Sequence, residues 1–269
     1  MIIGNKEFDL KNKTYVMGIL NVTPDSFSDG GCWNKLGNAL SHAEKMKRDG
    51  ASIIDVGGES TRPGYTQISV EEEIERVVPV IEALKKQIGL PISIDTYKSE
   101  VAEAALAAGA DMVNDIWGFL YDKKIAEVTA EYDAACCLSH NRETPIYQDI
   151  VKDVICDLGK SAYIAEQAGV SRDKIILDPG IGFAKSYEDN LMLLKHLGDL
   201  TKLDYPILLG TSRKSVIGNA LGLPKDEREE GTLVTTVLAA QKHCGFVRVH
   251  DVEKNVRTIR MMEAINGVE

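Results

Sequence analysis

The stretch "YVMGILNV", Tyr15 to Val22, is apolar except for Gly18 and Asn21, and a run of this length suits a strand buried on both faces. Seven more runs of the same kind follow: "SIIDVGG" (Ser52–Gly58), "PISIDT" (Pro91–Thr96), "MVNDIWG" (Met112–Gly118), "AACCLSH" (Ala134–His140), "KIILDPG" (Lys174–Gly180), "YPILLGTS" (Tyr205–Ser212) and "FVRVHD" (Phe246–Asp251). They are nearly continuous in Val, Ile and Leu, as the strands of a parallel sheet covered on both sides should be.

Between the runs the pattern turns helical. Ser69 and Glu72 form a capping-box signal ahead of "VEEEIERVVPVIEALKK" (Val70–Lys86), whose acids come first and lysines last, in keeping with the helix dipole. Ser186 and Asp189 repeat the signal before "NLMLLKHL" (Asn190–Leu197), and Asp251 is placed to cap a last helix with Val252, Val256, Ile259 and Met262 on one face. Eight strand-then-helix units in 269 residues predict one domain spanning residues 1–269, a (β/α)₈ TIM barrel. An open doubly wound sheet is the alternative, but it usually needs fewer strands, and no strand here runs into a G-x-G-x-x-G turn. The opening "IIGNKEFDL" is expected to add a short β-hairpin closing the barrel bottom.

The composition narrows the function. A net charge of −10 and a pI near 5.1 argue against nucleic acid or an anionic membrane surface as the partner, while 44% hydrophobic residues supply a sizeable core. The five cysteines show no metal-ligand spacing and no disulfide framework, and Cys136 and Cys137 read as small core residues. With no secretory pattern at the start and no apolar run of spanning length, the expectation is a soluble, cytoplasmic protein.

In such a barrel the active site forms at the carboxyl ends of the strands, and all eight runs end there in polar groups. Asn21 ends the first, Asp55 and "GGESTRPG" the second, Asp95 the third, Asn114 with Asp115 the fourth, and His140 the fifth. Asp178 ends the sixth, "TSRK" the seventh, and Arg248 with His250 the eighth. Taken singly, each has an ordinary reading. Asp or Asn after a strand caps helices and forms turns, Asp55 lies deep enough for a structural hydrogen-bonding role, His140 reads equally well as a core histidine, and Arg62 and Lys98 alone would be surface charges. Jointly they point further. Asp95, Asp178 and Asn114 would converge on the barrel axis and suit the edge of a flat, amino-substituted heterocycle, since a carboxylate takes paired N–H donors bidentately. Thr61, Arg62, Lys214, Arg248 and His250 would surround it with donors and positive charge for a phosphorylated group. No Ser-His-Asp grouping, zinc spacing or P-loop stands out, and "GIGF" (Gly180–Phe183) is only a weak phosphate-cradle signal.

These residues resemble the dihydropteroate synthase family, the folate-pathway enzymes that sulfonamides target. The resemblance runs in colinear order from about Tyr15 to Ile265, through "GILNVTPDSFSDGG", "IIDVGGESTRPG", "SIDTYK", "NDIWG", "LDPGIGF", "GTSRKSVIG" and "RVHDV". It implies a TIM barrel that forms a homodimer and joins 4-aminobenzoate to 6-hydroxymethyl-7,8-dihydropterin diphosphate, releasing pyrophosphate. It implies further that Asp95, Asn114, Asp178 and Lys214 hold the pterin, that Asn21 helps bind Mg²⁺ at the diphosphate, and that Thr61, Arg62, Arg248 and His250 anchor that diphosphate. Ser212, Pro63, Phe183 and Phe27 would line the aminobenzoate pocket, and Asp29 would stabilise positive charge developing on the pterin. The loop after Asn21 is similar to the family's first closing loop, with "TRPG" as its partner. One departure stands out: the family usually flanks the histidine after the fifth strand with methionines, and here Ser139 and Asn141 occupy those positions. Two other readings share the pocket. A corrinoid methyltransferase acting on methyltetrahydrofolate would need neither "NVTPDSFSDGG" nor "TSRK". A non-catalytic pterin-binding paralogue would have only the Ser139/Asn141 departure behind it.

Overall fold

Alternation along eight parallel strands decides which side chains face the barrel axis. The computed structural model describes residues 1–23, 32–59 and 67–267. A hairpin of β1 (Ile2–Ile3) and β2 (Lys6–Glu7) precedes the barrel strands β3 (Tyr15–Asn21), β4 (Ile53–Gly57), β5 (Ile92–Asp95), β6 (Met112–Asp115), β7 (Ala135–Ser139), β8 (Ile175–Asp178), β9 (Leu208–Leu209) and β10 (Phe246–Val249). All eight predicted runs are therefore strands. Their pairing is parallel in chain order from β3 to β8 and continues from β3 through β10 to β9. The seam closes where Leu177 pairs with Ile207 and its amide donates to the Pro206 carbonyl at 2.9 Å. This closure sets aside the open-sheet alternative.

The helices form the outer ring: α1 (Cys32–Asp49), α2 (Val70–Gln87), α3 (Ser99–Ala107), α4 (Lys124–Glu131), α5 (Ile150–Ala168), α6 (Tyr187–Lys195), the short α7 (Leu197–Leu200), α8 (Ser215–Leu221), α9 (Glu229–Gln241) and α10 (Val252–Asn266). Their predicted starts hold with one change. Ser186 and Asp189 form a reciprocal capping box on α6, and Asp251 accepts from the Lys254 amide on α10. At α2 only half the box forms. Ser69 accepts from the Glu72 amide, but the Glu72 carboxylate turns to pair with Arg76 one helical turn on.

Two cores follow from the period-two geometry of a strand. Outward residues such as Leu20, Ile54, Val56, Ile94, Val113, Leu138 and Val247 pack against the helices. Inward residues Met17, Ile53, Met112, Cys137, Ile176, Leu208 and Phe246 make a second cluster inside the barrel. The hairpin closes that cluster from below with Ile3 and Phe8, whose ring stands edge-on to Tyr15 at 4.9 Å and packs against Phe246 at 5.4 Å. Cys136 falls in the outer core and Cys137 in the inner one, as small apolar residues. One step further along each strand, the inward positions become Asn21, Asp55, Asp95, Asn114, Ser139, Asp178 and Arg248. The barrel is thus apolar at its amino end and polar at its carboxyl end.

Candidate active site

Parity separates the two residues of "ND". Asn114 points inward and donates from Nδ2 to Asp55 Oδ2 at 3.2 Å. Asp115 points outward, where it accepts from the amides of Trp117 at 2.8 Å and Phe119 at 2.7 Å. It shapes the turn after β6 and has no place in the pocket.

The floor of the pocket is an ion network. Arg248 donates from Nε to Asp55 at 2.6 Å and from Nη2 to Asp95 at 2.5 Å. Burial disfavours its charge, but Asp55 and Asp95 more than offset this and keep the guanidinium protonated. Burial raises the Asp95 carboxyl to about 7, against the pull of Arg248 and with the charge of Asp55 adding to the rise. Among the described residues, the second oxygens of Asp55 and Asp95, Oδ1 in each, are buried without a hydrogen-bond partner. A buried carboxylate oxygen left unpaired costs free energy, so these two are ready acceptors for a ligand's N–H groups.

Asp178 closes the other side. Its Oδ1 accepts from the Gly180 amide at 2.7 Å, and burial raises its pKa while Lys214 pulls it back. Lys214 enters from the start of α8. Its ammonium donates to the Ile181 carbonyl at 2.5 Å and lies 4.4 Å from the centre of the Phe183 ring, a cation–π contact. Burial lowers this amine to about 8, with Asp178 opposing the fall. Gly210 keeps the space between these groups open: a Cβ there would stand 3.4 Å from Asp178 Oδ2 and 3.9 Å from Lys214 Nζ. At the rim Ser212 Oγ and His250 Nδ1 are 2.9 Å apart. The site is a buried slot with carboxylates and an amide along its floor and an ammonium and an aromatic face on its wall.

The chain matches the family model described as "Pterin binding enzyme" over residues 17–250. It is 56% identical over 98% of its length to the dihydropteroate synthase of Clostridium beijerinckii, of which it covers 99%. The chain belongs to the dihydropteroate synthase family. Among solved structures it is similar to dihydropteroate synthase from Clostridium difficile in the presence of pteroic acid, at 51% identity and a TM-score of 0.94, covering 96% of this chain and 99% of that one. It is also similar to the Xanthomonas albilineans enzyme in complex with 7,8-dihydropteroate, at 40% identity and a TM-score of 0.89, covering 96% of this chain and 95% of that one. Such full-length likeness to synthases sets aside the methyltransferase reading.

Of the residues that the family resemblance singles out, Asp95, Asn114, Asp178, Lys214, Phe183, Ser212, Arg248, His250 and Asn21 all lie at the carboxyl end of the barrel. Phe27, Asp29, Thr61, Arg62 and Pro63 lie outside the described residues. Arg248 lies at the inward end of β10, where Asp55 and Asp95 pair with its guanidinium. His140 turns outward, buried, with Nε2 3.3 Å from Asp157 of α5. Burial and the nearby Lys185 charge lower it to about 3, so it stays neutral. Lys98 is not the surface charge that its type alone predicts. Its ammonium is buried between Glu59 at 2.8 Å and Glu73 at 2.7 Å and also donates to the Ile68 carbonyl, because three elements converge there.

A magnesium ion fits the oxygens available at the strand ends. Mg²⁺ takes hard oxygen ligands and typically uses one or two protein groups alongside substrate phosphates and water. Asn21 offers an amide oxygen at the inward end of β3. Gly57 leaves room beside it, since a Cβ there would lie 3.6 Å from both Asn21 Oδ1 and Asp95 Oδ2. Among the described residues no cluster of three or more His, Cys, Asp or Glu could hold a metal by itself. Sequence reasoning missed one lysine beside the site, Lys185, whose only signal is its place next to "GIGF".

Proposed function

We propose that this chain condenses 4-aminobenzoate with 6-hydroxymethyl-7,8-dihydropterin diphosphate to give 7,8-dihydropteroate and pyrophosphate. The observation that carries the reading is the inward layer of Asp95, Asn114 and Asp178 beneath Lys214, with carboxylate oxygens in its floor that no described residue pairs. A pterin carries paired N–H donors along one edge, which suit a carboxylate, and ring acceptors, which suit an ammonium. The full-length relatives named dihydropteroate synthase, and the Xanthomonas enzyme in complex with 7,8-dihydropteroate, support the same reaction.

The chemistry follows from the charges. Asp95, Asn114 and Asp178 hold the pterin, and Lys214 donates to it from above. As the C–O bond to the diphosphate breaks, the methylene left on the pterin becomes cationic, and the buried carboxylates Asp95 and Asp178 stabilise that charge. Arg248 holds Asp95 in place and offsets part of the repulsion between Asp95 and Asp55. Bound through Asn21, Mg²⁺ would neutralise charge on the departing pyrophosphate as a Lewis acid. His250 at the rim, with Thr61 and Arg62, receives the diphosphate, and Asp29 adds negative charge near the methylene. Phe183, Ser212, Phe27 and Pro63 shape the place where the arylamine waits. A neutral arylamine has a free lone pair, so its attack needs positioning more than a base: the C–N bond forms at the methylene as pyrophosphate leaves, and the proton shed by the nitrogen passes to pyrophosphate or water.

The acting form is proposed to be a cytoplasmic homodimer, supported by exposed apolar side chains on the last three helices: Leu221, Val234, Met261 and Ile265. No helix among the described residues is long and apolar enough to cross a membrane. Mass spectrometry of the purified chain with both substrates and Mg²⁺ should find dihydropteroate, and chelation of the metal should suppress it. Tight binding of the pterin diphosphate with no product formed would instead make the chain a non-catalytic pterin-binding paralogue.

A further inference from the structure

The "GIGF" turn resembles a phosphate cradle in sequence, yet its main chain does the reverse. A phosphate cradle offers amides to an anion; here the carbonyls face two ammonium groups. Lys185 Nζ donates to the Gly180 carbonyl at 2.9 Å, to the Phe183 carbonyl at 2.9 Å and, across to the end of β7, to the His140 carbonyl at 3.2 Å. Lys214 Nζ takes the carbonyl between them, that of Ile181. The backbone is bent to allow this, with φ of +66° at Gly180, +89° at Gly182 and +46° at Ala184. Gly180 has no substitute, since a Cβ there would lie 1.9 Å from the His140 carbonyl oxygen. Asn190 and Tyr147 pin the turn from outside. Asn190 accepts from the Gly182 amide at 2.7 Å and donates to the Ser186 carbonyl at 2.7 Å, while the Tyr147 hydroxyl donates to the Ala184 carbonyl at 2.8 Å.

We propose that Lys185 is a positioning residue whose ammonium, held by the carbonyls of Gly180, Phe183 and His140, fixes the turn so that the Ile181 carbonyl and the Phe183 ring seat Lys214 over the pterin. The match is one of number and shape. An ammonium has three donors that can converge on three acceptors, whereas the planar fork of arginine cannot. Lys185 touches no substrate in this arrangement and acts through Lys214 and Phe183. The inference rests on the pocket being the pterin site of a synthase.

The test compares wild type, Lys185→Ala, Lys185→Met and Lys185→Arg in full-length enzyme. It reads kcat and KM for both substrates, the melting temperature, and rescue of the alanine variant by methylammonium chloride. Tetramethylammonium chloride at the same ionic strength, which has no N–H, is the control. Loss of a positioning contact beside the reacting groups should lower kcat/KM by about thirtyfold in Lys185→Ala and about tenfold in Lys185→Arg. Methylammonium should recover several-fold of the alanine loss, and tetramethylammonium none. Wild-type kcat/KM in folded Lys185→Ala would overturn the proposal, as would a lowered melting temperature with no amine rescue. If neither Lys185→Ala nor Lys185→Met folds, the lysine is a folding element and the proposal fails. A wild-type enzyme that makes no dihydropteroate would sink the synthase reading itself, which is a separate result.

Discussion

Asp95 and Lys214 sit on opposite sides of one slot, and burial moves their pKa values toward each other, to about 7 and about 8. Pterin binding needs the carboxylate ionised and the ammonium protonated. Lys185, which burial lowers to about 7 with Asp178 opposing the fall, must also stay protonated to seat Lys214. Activity should therefore rise as Asp95 ionises and fall from about pH 7 upward as Lys185 and then Lys214 lose their protons, a narrow bell in kcat/KM. Lys214→Arg keeps its charge at higher pH, so in that variant the falling limb should lose the step near 8 and keep the one near 7 that Lys185 sets. A flat profile from pH 6 to 9 would contradict the assignment. Removing the charges has a larger effect: Lys214→Ala and Asp178→Asn should each cost about a hundredfold or more in kcat while leaving the circular dichroism spectrum unchanged. Most of this site was legible residue by residue, because acids and amides inside apolar runs are conspicuous. Strand parity would also have separated Asn114 from Asp115. Lys185 and Lys98 were not legible, since a lysine in a turn or before a helix reads as exposed until the fold shows which carbonyls or carboxylates surround it.

Among the elements, the hairpin and the polar strand ends perform separate tasks at opposite ends of the barrel. Phe8 from the segment after β2 fills the bottom of the inner core, far from the carboxyl ends of the strands. Phe8→Ala should cost about 3–5 kcal/mol of stability by leaving a cavity, with KM for either substrate unchanged at a temperature where the variant is folded. Denaturant melts alongside steady-state kinetics would check both halves, and a raised KM would mean that the two ends are coupled. The strands and most helix starts could be read from the sequence because the Val/Ile/Leu runs are bounded by polar residues, and because Ser186 and Asp251 cap as their types predict. The half-formed box at Ser69 shows the limit. Whether Glu72 reaches back to its cap or forward to Arg76 depends on side-chain competition that spacing alone does not resolve.

For the whole molecule, the closed sheet brings together residues as far apart in sequence as Asp55 and Arg248, and no local pattern contains that meeting. The exposed Val234, Met261 and Ile265 on α9 and α10 give the proposed dimer its apolar face. Sedimentation should therefore show twice the 29.5 kDa of one chain, and Val234→Asp should shift it toward monomer. A monomeric wild type at micromolar concentration would refute the dimer without touching the chemistry. The central claim is that the slot at the strand ends releases pyrophosphate only when an arylamine accepts the pterin methylene. The measurement that tests it most directly is pyrophosphate release by the purified chain with Mg²⁺ and dihydropterin diphosphate, with and without 4-aminobenzoate. Release that depends on 4-aminobenzoate, with dihydropteroate formed in equal amount, is the predicted result. No release while the diphosphate substrate is bound would contradict it.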